Sequence, residues 1–315
     1  MTTRPWQPSA SIDALHKRAK VLRTIRDFFT ERGALEVETP LLSQATVTDP
    51  HIHSMQVQPS SYYLQTSPEY AMKRLLAAGS GPIFQITKAF RQDEVGRLHN
   101  PEFTLLEWYR PGYDHHALMD EMDALLQLIL HCTTADRISY QAIFQHYLQL
   151  NPHTAALEEL QQCASQQGIV VKANITQRDT WLQILLSHAI EPQLGQKQPL
   201  FLYDFPASQA ALAKIRAGNP ALASRFEVYY KGMELANGFH ELQNAVEQRH
   251  RFAKDLAIRQ QLQLAQPHCD ENFLAALAQG LPDCAGVALG IDRLLMIATS
   301  AITLAETMSF DFTRA

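Results

Sequence analysis

Apolar residues recur every three or four positions near the start of the chain, at Ile12, Leu15, Ala19, Leu22, Ile25 and Phe29. This spacing predicts an amphipathic helix over residues 11–32, and Gly33 provides a stop signal. A second helical pattern covers residues 115–131, with the pair His115-His116 expected to open the helix and project into solvent.

Another helix is predicted to begin at Ser67-Pro68-Glu69 and to run to Gly79. Serine is a good N-cap, proline suits the first turn, and glutamate favours the positive end of the helix dipole. The segments 82–91 and 103–110 then read as two strands joined by a charged turn.

The remaining pattern is mixed. Residues 133–198 are rich in Gln, Ala and Leu and predict a helical insertion, and strands resume at PLFLYDF and RFEVYYKGMEL. A helix is predicted over about 245–265, and GVALGIDRLLMIAT predicts a strand that runs into a closing helix. Antiparallel-looking strand pairs with helices between them indicate the α+β class, in one large domain with an insertion.

Composition narrows the possible functions. The chain has 315 residues, 46% of them hydrophobic, and a formal net charge of −5. It lacks the basic footprint of a protein that binds a nucleic acid backbone. The four cysteines are widely spaced, and the N-terminal MTTRPWQPSA has no apolar core of a signal peptide. A cytoplasmic protein is therefore expected.

The segment RFEVYYKGMELANGFHEL, residues 225–242, carries the first candidate chemistry. If Lys231-Gly232 forms a two-residue hairpin turn, Tyr229 faces Glu234 across the ladder and Glu227 lies diagonally on the same face. Two carboxylates placed in this way repel each other unless a cation lies between them, and Mg²⁺ bridging to substrate phosphates is a natural candidate. An exposed acidic face is the alternative.

Two arginines stand where an anionic ligand would explain them. Arg91 ends a predicted strand, where its planar fork of donors can bind a phosphate. Arg293 falls in the first turn of the closing helix, where a cation does not suit the helix dipole. Gly286 and Gly290 precede that helix and permit close approach of the backbone to a ligand.

The order of these segments resembles the catalytic domain of class II aminoacyl-tRNA synthetases. GALEVETPLL, with Pro40, resembles motif 1, which lies at the dimer interface in that family. FRQDEVGRLHNPEFTLLEWY resembles motif 2, with Arg91 in the place of the ATP-binding arginine, and ALGIDRLLM resembles motif 3. Within the class, TSPEYAMKRL, HNPEFT, FPAS and ELANGFHEL are similar to the lysyl-tRNA synthetase branch.

The resemblance implies a role for each matching residue. Arg91 and Arg293 would be the catalytic arginines that hold the triphosphate, and Glu227 and Glu234 would ligate Mg²⁺. The implied ATP site consists of Arg91, Gln92, Asp93, His99, Asn100, Phe103, Glu234, Leu235, Gly290 and Arg293. The implied amino-acid pocket consists of Ser67, Pro68, Glu69, Tyr109, Asn237, Glu241 and Ala288. In that pocket Tyr109 and Glu241 would read a lysine-like ammonium, and no protein nucleophile is required.

Departures from the lysyl pattern point to a smaller subfamily. About forty residues before the end of motif 1 cannot hold an anticodon-binding barrel, so that domain is expected to be absent. Ala288 stands where the synthetases have glycine, and its methyl group should disfavour an α-amino acid and tolerate a shifted amine. Asp93 and Gln92 replace the usual glutamate and asparagine of the motif 2 turn.

On these grounds the chain resembles the free-standing bacterial elongation factor P–(R)-β-lysine ligases. The resemblance implies ATP-dependent activation of (R)-β-lysine, transfer to a lysine side chain of elongation factor P, and a homodimer, with tRNA not expected as a partner. A minimal lysyl-tRNA synthetase, a non-catalytic regulatory paralogue and an adenylate-forming synthetase of small amides are the alternatives. The presence of Arg91, Arg293, Glu227 and Glu234 favours an active enzyme over the regulatory paralogue.

Overall fold

A computed structural model describes residues 6–173 and 175–315 of the chain. The first five residues of the segment MTTRPWQPSA lie outside the described residues. The chain divides into two compact units, unit 1 comprising Met1–Tyr113 and Gln243–Ala315, and unit 2 comprising Asp114–Leu242. The prediction of one catalytic domain with an insertion stays a prediction.

The helices of unit 1 have clear bounds, as do those of unit 2. Unit 1 contains α1 (Ile12–Glu31), α2 (Glu69–Ala77), α7 (Ala245–Gln261), α8 (Glu271–Gly280) and α9 (Ile291–Thr299). Unit 2 contains α3 (His115–Leu130), α4 (Tyr140–Leu148), α5 (Leu157–Gln166) and α6 (Arg178–Leu185). A π-helical turn, Leu186–Ile190, and a 3-10 turn, Glu191–Gln193, continue α6.

The strands of each unit are also well defined. Unit 1 contains β1 (Leu35–Glu36), β2 (Leu42–Ser43), β3 (Gln56–Val57), β4 (Tyr62–Leu64), β5 (Ile83–Phe90), β6 (Glu102–Pro111) and β12 (Cys284–Gly290). Unit 2 contains β7 (Asp136–Ser139), β8 (Leu200–Pro206), β9 (Ile215–Arg216), β10 (Leu222–Tyr230) and β11 (Met233–His240).

In unit 1 the main strand order is β1-β5-β6-β12, and β2-β4-β3 form a small separate sheet. The long pairs β5–β6 and β6–β12 are antiparallel, whereas the short β1 lies parallel to β5. Phe29 of α1 packs against this sheet, with its ring 4.9 Å from that of Phe84 and 5.0 Å from that of Trp108. This fully buried aromatic group is the centre of the unit 1 core.

In unit 2 the strand order is β11-β10-β8-β7, with β9 paired to β10. Pairs β10–β11 and β10–β8 are antiparallel, and β7 lies parallel to β8. A second apolar core fills the space between the strands and the helices, where the ring of Tyr140 lies 4.6 Å from that of Phe144 and 4.8 Å from that of Phe205. The prediction of an α+β fold with antiparallel strand pairs is confirmed.

Side-chain caps begin the two helices that the helical spacing predicted. Ser11 Oγ accepts from Ala14 N at the start of α1, and Asp114 Oδ1 accepts from Ala117 N at the start of α3. These bonds satisfy backbone donors that have no partner within the helix. Gly33, with φ +69°, follows α1 in the left-handed region, as the predicted stop requires.

Two details of the predicted helices were wrong. Helix α2 has Pro68, not Ser67, as its N-cap residue, although Ser67 Oγ still accepts from the backbone N–H of Glu69 at 3.1 Å while its hydroxyl donates to the carboxylate of Glu107. His115 opens α3 as expected, but its side chain is buried against Asp204, at 3.5 Å, and does not project into solvent.

The segment after α6 forms backbone hydrogen bonds with the tip of the β10–β11 hairpin. The backbone N–H of Lys231 donates to Gly195 O at 2.8 Å, and that of Gly232 donates to Leu194 O at 2.9 Å. A Cβ on Gly195 would lie only 2.4 Å from Tyr229 O, so the two backbones are in direct contact. The segment between α6 and β8 therefore holds the hairpin that carries four of the candidate residues, Glu227, Glu234, Leu235 and Asn237.

Within the described residues, we find no helix that combines the length and the apolar character needed to cross a membrane.

Candidate active site

Arg91 follows β5 and begins the turn to β6. Its guanidinium carbon lies 5.1 Å from the centre of the Phe103 ring, and Nη1 lies 3.6 Å from Glu94 Oε1. The Nε atom is buried and has no hydrogen-bond partner among the described residues. Because a buried charged donor without an acceptor is costly, this geometry suits a site that receives an anion.

Arg293 of α9 reaches the same turn. Its Nε donates to Leu98 O at 3.3 Å, and Nη2 lies 2.7 Å from His99 Nε2. Burial, and then the charge of Arg293, lower the pKa of His99. A neutral His99 with its proton on Nδ1 can accept this bond, so the two arginines and the histidine form one positively charged cluster.

Other residues of the turn are used within the protein. Asn100 Nδ2 donates to Glu102 O at 2.6 Å, and its Oδ1 accepts from Phe312 N at 2.9 Å. These bonds fix the start of β6 against the C-terminal segment. Both the amide nitrogen and the amide oxygen of Asn100 are already hydrogen-bonded. The predicted contact of Asn100 with ATP would therefore have to share one of these atoms.

Gln92 and Asp93 lie at the outer part of the turn. Gln92 N donates to His53 O, and Asp93 Oδ2 is 3.7 Å from His53 Nδ1. Asp93 has φ +66°, a conformation that aspartate tolerates better than glutamate does. This backbone requirement gives a local reason for aspartate here.

A cluster of buried and partly buried polar side chains, two of them acidic, lies between α2 and β6. We define the acidic pocket by Ser67, Glu69, Lys73, Glu107 and Tyr109. Ser67 Oγ and Tyr109 Oη donate to the two oxygens of Glu107, each at 2.7 Å, and Lys73 Nζ donates to Glu69 Oε1 at 2.6 Å. The pocket thus holds two carboxylates and a single ammonium group.

The charge balance of the acidic pocket affects Glu107 most. Burial, and then the charge of Glu69, raise the pKa of Glu107 to about 7, although the two hydroxyl donors and Lys73 act in the opposite direction. A second ammonium group placed beside Glu107 would offset the repulsion and favour the ionised carboxyl. The acidic pocket is therefore suited to bind an amine.

Strand β12 borders Glu107. Ala288 is the Cα partner of Glu107, and Gly290 is the Cα partner of Leu105. Directly opposed residues of an antiparallel pair have their Cβ atoms on the same face, about 5 Å apart. The methyl group of Ala288 therefore lies beside the acidic pocket, and Gly290 ends the strand as the N-cap of α9.

In unit 2 the predicted hairpin is present. Lys231 and Gly232 both have positive φ, and Tyr229 is the Cα partner of Glu234 as predicted. The register shifts between Val228 and Tyr229, so that Glu227 pairs with Asn237. This irregularity adds one residue, Leu235, to the β11 side, where its side chain is buried.

Glu227 is tightly held within unit 2. One carboxylate oxygen accepts from Arg225, and the other accepts from Tyr229 Oη at 2.5 Å. Tyr229 Oη also lies 3.1 Å from Glu191 Oε1, and burial with the charges of Glu227, Glu234 and Glu191 raises its pKa well above the usual range. Three carboxylates thus surround one phenol.

The other unit 2 candidates lie on or after β11. Asn237 Oδ1 accepts from Arg225 Nε at 3.2 Å, which joins it to Glu227 through one guanidinium. Glu241 follows the strand, with 1% of its surface exposed, and is bridged to Ala213. Carboxylates buried this completely are rare in proteins and are usually paired.

The hairpin carboxylates Glu227 and Glu234 offer the donor chemistry that Mg²⁺ requires. Carboxylate oxygen is the donor that Mg²⁺ prefers, and one or two carboxylates with substrate phosphates are its usual set in nucleotide sites. Among the described residues no three His, Cys, Asp or Glu side chains form a metal cluster. Glu234 and Glu227 therefore have the right donor atoms for Mg²⁺. Phosphate oxygens would have to supply further ligands, and Glu227 would have to give up its hydrogen bond from Arg225 or from Tyr229.

Sequence reasoning missed two members of the acidic pocket, Glu107 and Lys73. The sequence pattern could have indicated both residues. Glu107 lies two residues before Tyr109, on the face of β6 that also carries Phe103, and Lys73 lies four residues after Glu69 on α2. A charged residue at such positions in buried elements requires a partner.

Comparison with known proteins defines the class. The family model of class II tRNA synthetases (D, K and N) matches residues 7–314, and the chain belongs to this family. The predicted class II fold is thereby confirmed, and an ATP-dependent ligase fits the family.

Individual relatives are more specific. The chain is 55% identical, over the full length of both proteins, to elongation factor P–(R)-β-lysine ligase of Vibrio cholerae and to the protein of the same name in Pseudoalteromonas translucida. It is 52% identical, over 99% of both chains, to the corresponding Salmonella paratyphi B protein. The predicted resemblance to this subfamily is confirmed.

Proposed function

We propose that the protein activates (R)-β-lysine with ATP and transfers it to a lysine side chain of elongation factor P. The name shared by its full-length relatives supports this function. The observation that carries it is the acidic pocket, in which a carboxyl with its pKa raised to about 7 lies beside a second carboxylate. Such a pocket favours a substrate that carries amines.

Activation would begin with attack of the amino-acid carboxylate on the α-phosphorus of ATP. The bond to the β-phosphate oxygen breaks, pyrophosphate leaves, and an aminoacyl-adenylate remains. Arg91 and Arg293 would bind the phosphates and stabilise the charge that develops, and Phe103 would stack on the adenine. Glu227 and Glu234 would hold Mg²⁺, which supplies further neutralisation of phosphate charge.

Transfer would follow by attack of the neutral acceptor amine on the carbonyl carbon of the adenylate. The carbon–oxygen bond to AMP breaks, an amide bond forms, and the amine releases a proton. Neither step needs a protein nucleophile, so catalysis rests on position and electrostatics.

Substrate selection would rest on the acidic pocket and on Ala288. Glu107, with Tyr109 and Ser67, would accept one ammonium group of the substrate, a role also predicted for Glu241. The Ala288 methyl group beside Glu107 would leave less room for an α-amine and would favour an amine shifted by one carbon. Pockets that discriminate by one methylene typically gain about 1–3 kcal/mol, so α-lysine should react weakly.

The proposal also includes a homodimer and a cytoplasmic location. Motif 1 exposes apolar side chains, with Leu35 57% and Leu42 49% exposed, which suits a contact with a second copy. Light scattering of the purified protein would measure twice the chain mass if this is correct, and the chain mass alone would contradict the dimer.

The central test is an acceptor assay by mass spectrometry. The protein is incubated with ATP, Mg²⁺ and either (R)-β-lysine or α-lysine, with elongation factor P and bulk tRNA offered together. We expect a mass gain of one lysyl residue on elongation factor P, larger with the β-isomer. Label on tRNA alone would instead identify a minimal synthetase.

One arginine variant and one matched control sharpen this assay. Arg293→Gln should lose the modification by a factor of about a hundred or more, since a phosphate-binding guanidinium is removed. Arg97→Gln changes a nearby arginine that donates to the backbone at Ile302 O, and it should leave the reaction intact. Equal activity of both variants would contradict the role of Arg293.

A further inference from the structure

Arg18 of α1 makes an unusual set of bonds for a residue of an outer helix. Its Nη1 donates to Asp292 Oδ1 at 2.6 Å and to Thr307 O at 3.1 Å, while Nη2 donates to Thr104 Oγ1 at 2.7 Å. Only 16% of its side chain and 3% of that of Asp292 are exposed. One guanidinium therefore joins α1, β6, α9 and the C-terminal segment.

Asp292 completes the junction. Its second oxygen, Oδ2, accepts from the backbone N–H of Thr104 at 2.6 Å. Asp292 also lies in the first turn of α9, where a negative charge suits the helix dipole. The carboxylate is thus held on one side by Arg18 and on the other by β6, and the start of α9 is fixed to the middle of unit 1.

The residues that follow and precede this junction are those of the nucleotide site. Arg293 comes directly after Asp292, and Phe103 comes directly before Thr104. Arg293 bonds to His99, and Phe103 lies under Arg91. A small rotation of the first turn of α9 against β6 would therefore move Arg293 relative to the Phe103 ring.

We propose that Arg18 is a positioning residue of the nucleotide site, which holds Arg293 and Phe103 in one geometry through Asp292 and Thr104. This role rests on the proposed use of ATP at the arginine cluster. Arg18 touches neither phosphate nor adenine in this proposal. It acts by fixing the two elements that do.

The chemistry of the junction requires a guanidinium. Arginine can donate to a carboxylate, a hydroxyl and a carbonyl at once from a planar fork, whereas lysine offers one compact ammonium group. Removal of Arg18 would also leave the buried Asp292 carboxylate with one partner fewer, and such charges relax by moving towards water or another donor. The expected consequence is a displaced α9 turn.

The test compares Arg18→Gln, Arg18→Lys and Thr104→Val with Arg26→Gln. Arg26 is the matched control, because it lies on the same helix and also forms an ion pair, with Glu36, but at an exposed position. Pyrophosphate exchange gives the KM for ATP and the KM for (R)-β-lysine. Equilibrium dialysis gives the affinity for ATP alone, and thermal melting reports the folded fraction.

We expect Arg18→Gln to raise the KM and the Kd for ATP about tenfold or more, because small displacements of binding groups are costly. The KM for (R)-β-lysine should change less than about twofold by the same argument, since the acidic pocket is untouched. Arg18→Lys should recover part of the loss, Thr104→Val should show a smaller effect, and Arg26→Gln none. If Arg18→Gln does not fold, the other two variants decide.

Two results would overturn this role. One is a loss of kcat and of folded protein with both KM values unchanged, which a merely structural residue would give. The other is an unchanged ATP affinity in Arg18→Gln. Failure of the wild-type protein to exchange pyrophosphate with any lysine isomer would contradict the proposed substrate instead, while the dialysis result would still judge Arg18.

Discussion

Two groups of carboxylates in this protein have opposite electrostatic states. In the acidic pocket of unit 1, Glu107 is held by neutral hydroxyls and repelled by Glu69, and its pKa is raised to about 7. In unit 2, Glu227 is held by the cation of Arg225 as well as by Tyr229. Two hydroxyl groups donate to the first carboxyl, whereas a guanidinium and a hydroxyl donate to the second.

The comparison shows that acidic residues alone do not indicate a binding site for an amine. The groups that donate hydrogen bonds to each carboxylate are more informative. A hydroxyl orients a carboxylate without neutralising it, so the charge remains available to a substrate amine. A guanidinium both orients and neutralises. We therefore expect substitution of Glu107 to affect the use of the amine substrate and the pH dependence of stability, and loss of the Tyr229 hydroxyl to affect stability.

The largest effect should come from Glu107→Gln. Removing one partner of a buried charge pair typically costs about 3–5 kcal/mol, so kcat/KM for (R)-β-lysine should fall by roughly two hundred- to five thousandfold. Pyrophosphate exchange measures this value, with the KM for ATP as an internal reference.

Glu102→Gln is the matched control on the same strand. Glu102 is exposed and pairs with Lys88 at 3.0 Å, so its loss should change kcat/KM little. A comparable loss in both variants would mean that β6 is generally sensitive and that the acidic pocket has no special role.

The next effect concerns the pH dependence of stability without substrate. The fold raises the pKa of Glu107 from its unfolded value, near 4.5, to about 7. The contribution of this group to the free energy of unfolding is therefore complete below pH 4.5 and is lost as the pH rises through about 7. Glu107→Gln cannot ionise, so relative to the wild type it should gain on the order of 3 kcal/mol between pH 4.5 and pH 8.

Urea denaturation of both proteins at pH 4.5 and pH 8 measures the difference. A gap between the two proteins that is the same at the two pH values would show that the fold does not raise the pKa of Glu107.

The smallest effect should come from Tyr229→Phe in unit 2. The phenol is the hydroxyl donor between Glu227 and Glu191, and its loss leaves buried carboxylate oxygen with one donor fewer, at a cost of about 1–3 kcal/mol. Urea unfolding measures the change, and Tyr230→Phe, at the partly exposed neighbouring position, is the control. Equal stability of the two variants would mean that Arg225 alone holds Glu227.

Much of the fold could be predicted from the sequence because local signals agreed with it. Helical spacing located α1 and α3, and the Lys231-Gly232 turn fixed the pairing of Tyr229 with Glu234. The shift of register beside Tyr229 could not be predicted, because no turn or proline marks the added residue.

The candidate site was predictable to a different extent. Its arginines lie in contiguous motifs, so their place at a strand end and a helix start followed from local pattern. The acidic pocket brings together residues of α2 and β6, about forty positions apart. The raised pKa of Glu107 depends on burial by both elements, which periodicity along either one does not reveal.

The close backbone contact between Gly195 and the hairpin tip limits which positions can be changed in a redesign of the enzyme. A side chain at residue 195 would meet the Tyr229 backbone at 2.4 Å, and one at residue 232 would meet Pro192 O at 3.1 Å. Both glycines also have positive φ. A mutant library that seeks new amino-acid substrates should therefore keep these two positions as glycine, since variants there would be discarded for misfolding before their selectivity was ever sampled.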